Sequence, residues 1–316
     1  MYAGDEQVKE KVVVILGPTA TGKSHCAIEV AKRLNGEIIS GDSMLFYRRM
    51  NIGTAKPTAE ELAEAPHHLV DIIEPEASFS VVEFKQRAEQ LIREINSRGK
   101  LPIIVGGTGL YIKALLEDYA FSSVDEDTQL RQRLETMAQE KGNAALHAYL
   151  AQLDPVAAER LHMNNTRRVI RAIETALQGE EVPQHGAEEM PYEALVFGLN
   201  MERSLLYDRI NRRVDLMLEQ GLVEEVRQLL EQGVPAGCQS MQSIGYRQMV
   251  WYLQEGMPYQ LAVEKLKQAT RNFAKRQITW YKKMPYIQWF DLPAQPNFEI
   301  VVNHMVDDIV EKFKLV

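Results

Sequence analysis

The chain has 316 residues, 45% of them hydrophobic, which is enough for one large α/β unit with an insertion, or for two modest domains, around a sizeable core. Its 36 basic and 44 acidic residues leave a formal net charge of −8, which excludes a protein that coats nucleic acid with its whole surface; any RNA contact has to be local. Cys26 and Cys238 lie far apart with no disulfide or metal-ligand spacing, as in a reducing compartment. The polar start from Met1 to Lys11, and the lack of any apolar run near about 18 residues, predict a soluble cytoplasmic protein with no membrane partner.

Residues 12–16 (VVVIL) read as a buried strand that runs into Gly17, Pro18, Thr19, Ala20, Thr21, Gly22, Lys23 and Ser24. Strand, glycine-rich loop and helix start in that order spell a P-loop. Backbone N–H groups converging at a helix N-terminus cradle a diphosphate or longer polyphosphate. Lys23 adds a point charge for the outer phosphates, and the Ser24 hydroxyl stands where a Mg²⁺ ion takes it as a ligand. A helix over 23–34 follows, with apolar positions at Cys26, Ala27, Val30, Ala31 and Leu34.

A second strand over 37–40 delivers Gly41-Asp42-Ser43, where Asp42 is either a carboxylate beside the phosphate site or a helix N-cap. His67-His68 lacks metal-ligand spacing and predicts structural or substrate-rim histidines. A helix at 80–97 and a third strand at 101–105 lead to Gly106-Gly107-Thr108-Gly109, which reads equally as a tight turn and as a hydroxyl aimed at the same pocket. The alternation predicts an α/β fold with a doubly wound parallel sheet, in which ligands bind beyond the carboxyl ends of the strands. A Walker B aspartate is missing: the strongest later strand ends in Val105-Gly106-Gly107, and Asp71 follows too short an apolar stretch. The loop is therefore expected to bind a diphosphate without NTP hydrolysis.

The core is expected to occupy 1–121, a charged helical insertion 122–190, and the returning core with basic helices 191–316. The return begins with a strand at 194–199, followed by helices at about 203–231, 240–254 and 259–283, a short strand at 286–290 and a C-terminal helix. Residues 265–290 carry +7 and no acidic residue, leaving −15 for the rest of the chain. Arg271, Lys275 and Lys282 share one helical face, and Leu266, Ala269, Phe273 and Trp280 another. Such a face is either solvated or follows an RNA backbone, and an acidic protein that gathers its positive charge here favours RNA. Arg167, Arg168 and Arg171 form a second basic cluster, which ion pairs with Glu174 also explain. Phe46, Tyr47 and Trp280 read either as stacking platforms for RNA bases or as core.

The ordered series GPTATGKS (17–24), GDSMLFYRRMNIGTAKP (41–57), HHLVDI (67–72), FSVVEF (79–84), PIIVGGTGLY (102–111), RRVIRAIE (167–174), LYDRINRRVDLMLEQGLVEEV (206–226), QSIGYRQ (242–248) and TRNFAKRQITWYKK (270–283) resembles the tRNA dimethylallyltransferases. Gly41, Leu45 and the segment 162–165 depart from the usual pattern of that family. The resemblance implies transfer of a dimethylallyl group from dimethylallyl diphosphate to N6 of the adenine 3′ of the anticodon, with Mg²⁺ and the anticodon stem-loop of tRNA as partners; the chain is expected to be a monomer. It further implies that the P-loop holds the diphosphate and that Asp42 is the general base, with Thr108 and Arg247 flanking the reacting centre. Asp42, Ser43, Met44, Leu45, Thr108, Arg167, Arg168, Arg171, Arg271, Lys275 and Arg276 would touch the tRNA. Rival readings are a P-loop kinase, an isopentenyltransferase acting on free adenine nucleotide, and a non-catalytic RNA-binding switch. The basic helix and the insertion argue against the first two, and Asp42 against the third.

Overall fold

The computed structural model describes residues 9–119, 128–178 and 189–315. In chain order they form β1 (Lys11–Leu16), α1 (Lys23–Arg33), β2 (Gly36–Ser40), α2 (Ala59–Glu64), β3 (His67–His68), α3 (Val81–Ser97), β4 (Leu101–Gly106) and α4 (Gly109–Leu116). Next come α5 (Thr128–Lys141), α6 (Asn143–Leu153), α7 (Pro155–Arg160) and α8 (Thr166–Leu177). The chain ends with β5 (Glu193–Met201), α9 (Arg203–Glu219), α10 (Leu222–Glu231), α11 (Tyr246–Gln254), α12 (Tyr259–Tyr281), β6 (Ile287–Leu292) and α13 (Phe298–Phe313).

The strands form one parallel sheet in the order β3-β2-β4-β1-β5-β6. Side chains of β1 alternate between its faces. Val13 and Ile15 pack with α1, α9 and α13, whereas Val12, Val14 and Leu16 pack with α3 and α4. The helices that follow the neighbouring strands β1 and β4 therefore leave on opposite faces, which opens a crevice at the carboxyl ends of these strands. A third apolar cluster joins α9–α12 to Tyr47 and Met50 beside that crevice.

Residues 118–188 form a separate unit of contacts, distinct from 1–117 with 189–316. Its helices α5–α8 gather around Leu134, Leu146, Leu150, Val169 and Ile173. Asp154 caps α7 by accepting from the Ala157 N–H at 2.8 Å, with Pro155 opening the helix. The expected boundary at 122 lies outside the described residues.

Several elements differ from expectation. The 203–231 helix is two helices, interrupted at Gly221, whose φ of 101° ends the regular turn. The 240–254 helix starts only at Tyr246, because residues 235–245 run in turns held by Ser240, Ser243 and Gln242. The short α2 and the two-residue β3 give too little periodicity to read from sequence. Glu37 accepts from the Arg98 guanidinium at 2.6 and 2.9 Å and from Lys100 at 2.8 Å, and His68 Nε2 lies 2.7 Å from it, so His68 is structural.

Candidate active site at the carboxyl ends of the strands

The loop between β1 and α1 is held from several sides. Gly22 caps α1 in the left-handed region, φ 91°, and a Cβ there would lie 2.4 Å from the Phe298 ring of α13, so only glycine fits. Ala20 also has positive φ, and Arg209 of α9 donates to its carbonyl at 2.9 Å. Thr21 Oγ1 donates back to Pro18 O at 2.8 Å. The loop backbone and the first turn of α1 thus face the crevice with Lys23 and Ser24 on its rim.

Asp42 leaves the end of β2 into a turn and caps no helix. Its Oδ1 accepts from the Met44 N–H at 3.0 Å, a local Asx turn that employs one carboxylate oxygen. Ser43 N–H donates to Thr108 Oγ1 at 3.1 Å, and so ties the ends of β2 and β4 together. Thr108 reaches the site through this bond to Ser43.

Two cavities meet at Asp42. One, of 770 Å³, is lined by Lys23, Ser24, Leu45, Lys56 and His67. The other, of 380 Å³, is lined by Ser43, Met44, Arg247 and Arg276, with Ile210, Val214, Ile244 and Leu266 as apolar walls. Asp42, Thr19, Arg213, Met217 and Phe273 border both. Burial pushes the Lys23 ammonium down to about 8, with Asp42 opposing that shift and Arg213 adding to it. Burial likewise lowers Arg213 from its ordinary value, against the pull of Asp42. Arg247 places its guanidinium 5.3 Å from the Trp251 ring centroid, and its buried Nε has no hydrogen-bond partner among the described residues.

Of the residues expected at the site, Thr19, Ala20, Gly22, Lys23 and Ser24 of the loop border these cavities together with Asp42, Ser43, Met44, Leu45, Arg247 and Arg276, whereas Gly17, Pro18 and the buried Thr21 shape the loop from behind. Lys275 is exposed on α12, and Arg271 donates to Asn211 Oδ1 of α9 at 2.7 Å. The buried stripe of α12 runs through Ala262, Leu266, Ala274, Gln277 and Tyr281, whereas the expected apolar positions Ala269, Phe273 and Trp280 are only partly buried. Phe46 and Tyr47 are fully buried and belong to the core, so neither is a stacking platform. In the separate unit, Arg167 and Arg168 are exposed, and Arg171 pairs with the buried Glu174 at 3.3 Å, as does Arg131 at 2.6 Å.

Arg213, Arg209 and Gln277 carry geometry that the sequence reading passed over. The signal was present for the two arginines: they recur four apart beside the buried stripe Leu206, Ile210 and Val214, on the first helix after β5.

A doubly wound sheet with a glycine-rich loop, a carboxylate and several cations at one crevice belongs to the class of α/β proteins that bind their ligands beyond the carboxyl ends of the strands. The model of the IPP transferase family matches residues 45–284, and the chain belongs to that family. It is 50% identical over 292 residues to the tRNA dimethylallyltransferase of Bacillus cytotoxicus, covering 91% of this chain and 92% of that one. The tRNA dimethylallyltransferase of Bacillus cereus strain AH187 is also 50% identical, over 291 residues, covering 91% and 92%. Among solved structures, the full-length tRNA isopentenylpyrophosphate transferase of Bacillus halodurans superposes with a TM-score of 0.72 at 45% identity, covering 97% of this chain and 99% of that one. A eukaryotic dimethylallyltransferase acting on tRNA gives a TM-score of 0.77 at 27% identity, covering 95% and 78%.

Proposed function

We propose that this chain transfers a dimethylallyl group from dimethylallyl diphosphate to N6 of the adenine 3′-adjacent to the anticodon of tRNA, releasing diphosphate. The observation that carries this is the position of Asp42 on the border of two cavities, with Lys23 and the loop on one side and Arg247 and Arg276 on the other. An exocyclic adenine amine is a weak nucleophile, since its lone pair is delocalised into the ring. Asp42 takes its proton as the N6–carbon bond forms and the carbon–oxygen bond to diphosphate breaks. Lys23, Arg213 and the loop N–H groups meet the negative charge that grows on the departing diphosphate. The adenine has to leave the anticodon-loop stack to reach Asp42.

The Ser24 hydroxyl, exposed at the start of α1, is a hard oxygen donor beside Lys23. A Mg²⁺ ion that keeps several waters and takes phosphate oxygens would find one protein oxygen here, the Ser24 hydroxyl, in the place the phosphate-loop pattern gives it. Such an ion, when bound, neutralises charge on the leaving group. Lys275, Arg276, Arg167 and Arg168 meet the tRNA backbone in this reading. Arg271 and Arg171 serve mainly to brace their helices, and Thr108 positions Ser43 behind Asp42. The chain is read as a monomer, and its tRNA substrate supports the cytoplasm as its place of work.

Asp42→Asn tests the role of the carboxylate. The amide oxygen still accepts from the Met44 N–H, so folding and substrate binding persist while the rate falls by about 10²–10⁴. Undermodified tRNA is incubated with dimethylallyl diphosphate, digested and weighed for N6-prenylated adenosine. An unchanged rate per folded molecule rejects Asp42 as the base. Transfer of the ATP γ-phosphoryl group to an acceptor, with release of ADP and no prenyl transfer, by the unmutated protein makes the chain a kinase.

A further inference from the structure

Gln277 is a polar side chain, 4% exposed, for which the reaction described above has no use. It sits on α12 and reaches two strand ends at once. Its Oε1 accepts from the Thr19 N–H of the glycine-rich loop at 3.0 Å, and its Nε2 donates to Gly107 O, after β4, at 2.9 Å. One turn later Tyr281 donates to the same Gly107 carbonyl at 2.9 Å, with Gly17 O at 3.3 Å. Gly107 in turn precedes Thr108, whose hydroxyl holds Ser43 next to Asp42. A side chain at 107 would place Cβ 2.2 Å from Gln277 Nε2, so the glycine leaves room for this contact.

From this juxtaposition we propose that Gln277 is the positioning residue that fixes the distance between the donor loop and the Asp42 carboxylate. The inference rests on the prenyl-transfer reading for its chemistry. In-line displacement needs the leaving oxygen, the prenyl carbon and the amine in register, and small misplacements are costly in rate. The loop and Asp42 follow different strands, β1 and β2. Gln277 joins the loop to the β4 end that also carries Asp42's brace. A buried amide with both ends satisfied holds such a spacing more rigidly than packing alone.

Gln277→Ala removes the link directly. Gly107→Ala removes it from the other side, since the added methyl meets only the movable end of the glutamine side chain, and position 107 has no positive φ that would strain alanine. Each variant is expected to lower kcat about tenfold and to weaken inorganic diphosphate binding about tenfold, as loss of one or two buried hydrogen bonds implies. Affinity for an anticodon stem-loop RNA stays within about twofold, because the exposed cations of α12 are untouched. The double variant is no worse than Gln277→Ala, since both changes break one link. Losses that add in the double variant, or wild-type kcat and diphosphate affinity in either single one, overturn the proposal. So does a lower melting temperature with unchanged turnover per folded molecule. If Gln277→Ala does not fold, Gly107→Ala decides by the same two readouts. Diphosphate binding needs no turnover, so an unmutated protein that fails to prenylate tRNA rejects the functional reading while the link is still judged by binding.

Discussion

Lys23 stands at the start of α1, partly buried, with its Nζ 3.3 Å from Pro18 O. Burial holds its pKa near 8 instead of 10.5, so in the unliganded protein the charge that should meet diphosphate begins to vanish just above neutral pH. The sign follows directly. An anionic ligand binds the protonated ammonium, so affinity is full below about 8 and falls above it, approaching tenfold per pH unit, while binding draws a proton from solution. Dimethylallyl diphosphate titrated calorimetrically between pH 7 and 9.5, in two buffers of different ionisation enthalpy, reports both effects. Lys23→Met should bind weakly with a flat profile across that range. A wild-type profile that is equally flat shows that Lys23 does not meet the ligand. The P-loop pattern marked Lys23 and Ser24 plainly in the sequence. Arg213 was harder to see, because a basic residue on an amphipathic helix reads as solvated until the helix is docked against a crevice.

Among the elements, α12 shows best how far a sequence pattern carries. Its surplus of positive charge was legible, and so was its helical state. Which cations are available was not. Lys267 is paired with Asp215 at 2.6 Å and Arg271 is bonded to Asn211, both on α9, so these two stitch helices together. Lys275 and Arg276 are exposed, and Arg276 also lines the smaller cavity. Replacing Lys275 and Arg276 with alanine should weaken tRNA binding and flatten the dependence of log K on log salt by about 1.4 to 1.8, at roughly 0.7–0.9 per lost phosphate contact. Arg271→Ala should change the slope far less and show up in stability instead. Affinities measured from low to moderate salt separate the two. An unchanged slope in the double variant moves the RNA surface to Arg167 and Arg168. The hidden face of α12 was the misread part: Gln277 and Tyr281 are polar, and a search for apolar periodicity passes over them even though they are buried to serve the loop.

At the scale of the whole molecule, stability and chemistry lie at opposite ends of the same strands. The α/β alternation and the sheet direction followed from apolar runs at 12–16, 101–105 and 194–199, because buried parallel strands are continuous stretches of β-branched and aliphatic residues. The edge strand β3 did not, being two histidines long and ordered by long-range pairing with β2. That pairing is anchored by Glu37, near the amino end of β2, while Asp42 lies just past its carboxyl end. Glu37 gathers Arg98, Lys100 and His68, and these partners, Arg98 first, hold its carboxyl well below the ordinary 4.5. Its side chain is 3% exposed, but Arg98 and Lys100 are 46% and 31% exposed, so the ion pairs are partly screened and cost less to break than a fully buried pair. Glu37→Gln should therefore destabilise the fold by about 2 kcal/mol at neutral pH. A lowered folded pKa means that this stabilisation is present above the unfolded carboxylate value and is lost as pH falls from there toward the folded one. Denaturant unfolding of both proteins should accordingly show the full gap at pH 7 and a shrinking one below about pH 4.5. Turnover per folded molecule should stay at the wild-type level, since the network is at the far end of β2. A gap that persists unchanged into acid means the lost stability came from packing around the side chain; a fall in turnover means that the register of β2 is transmitted to Asp42.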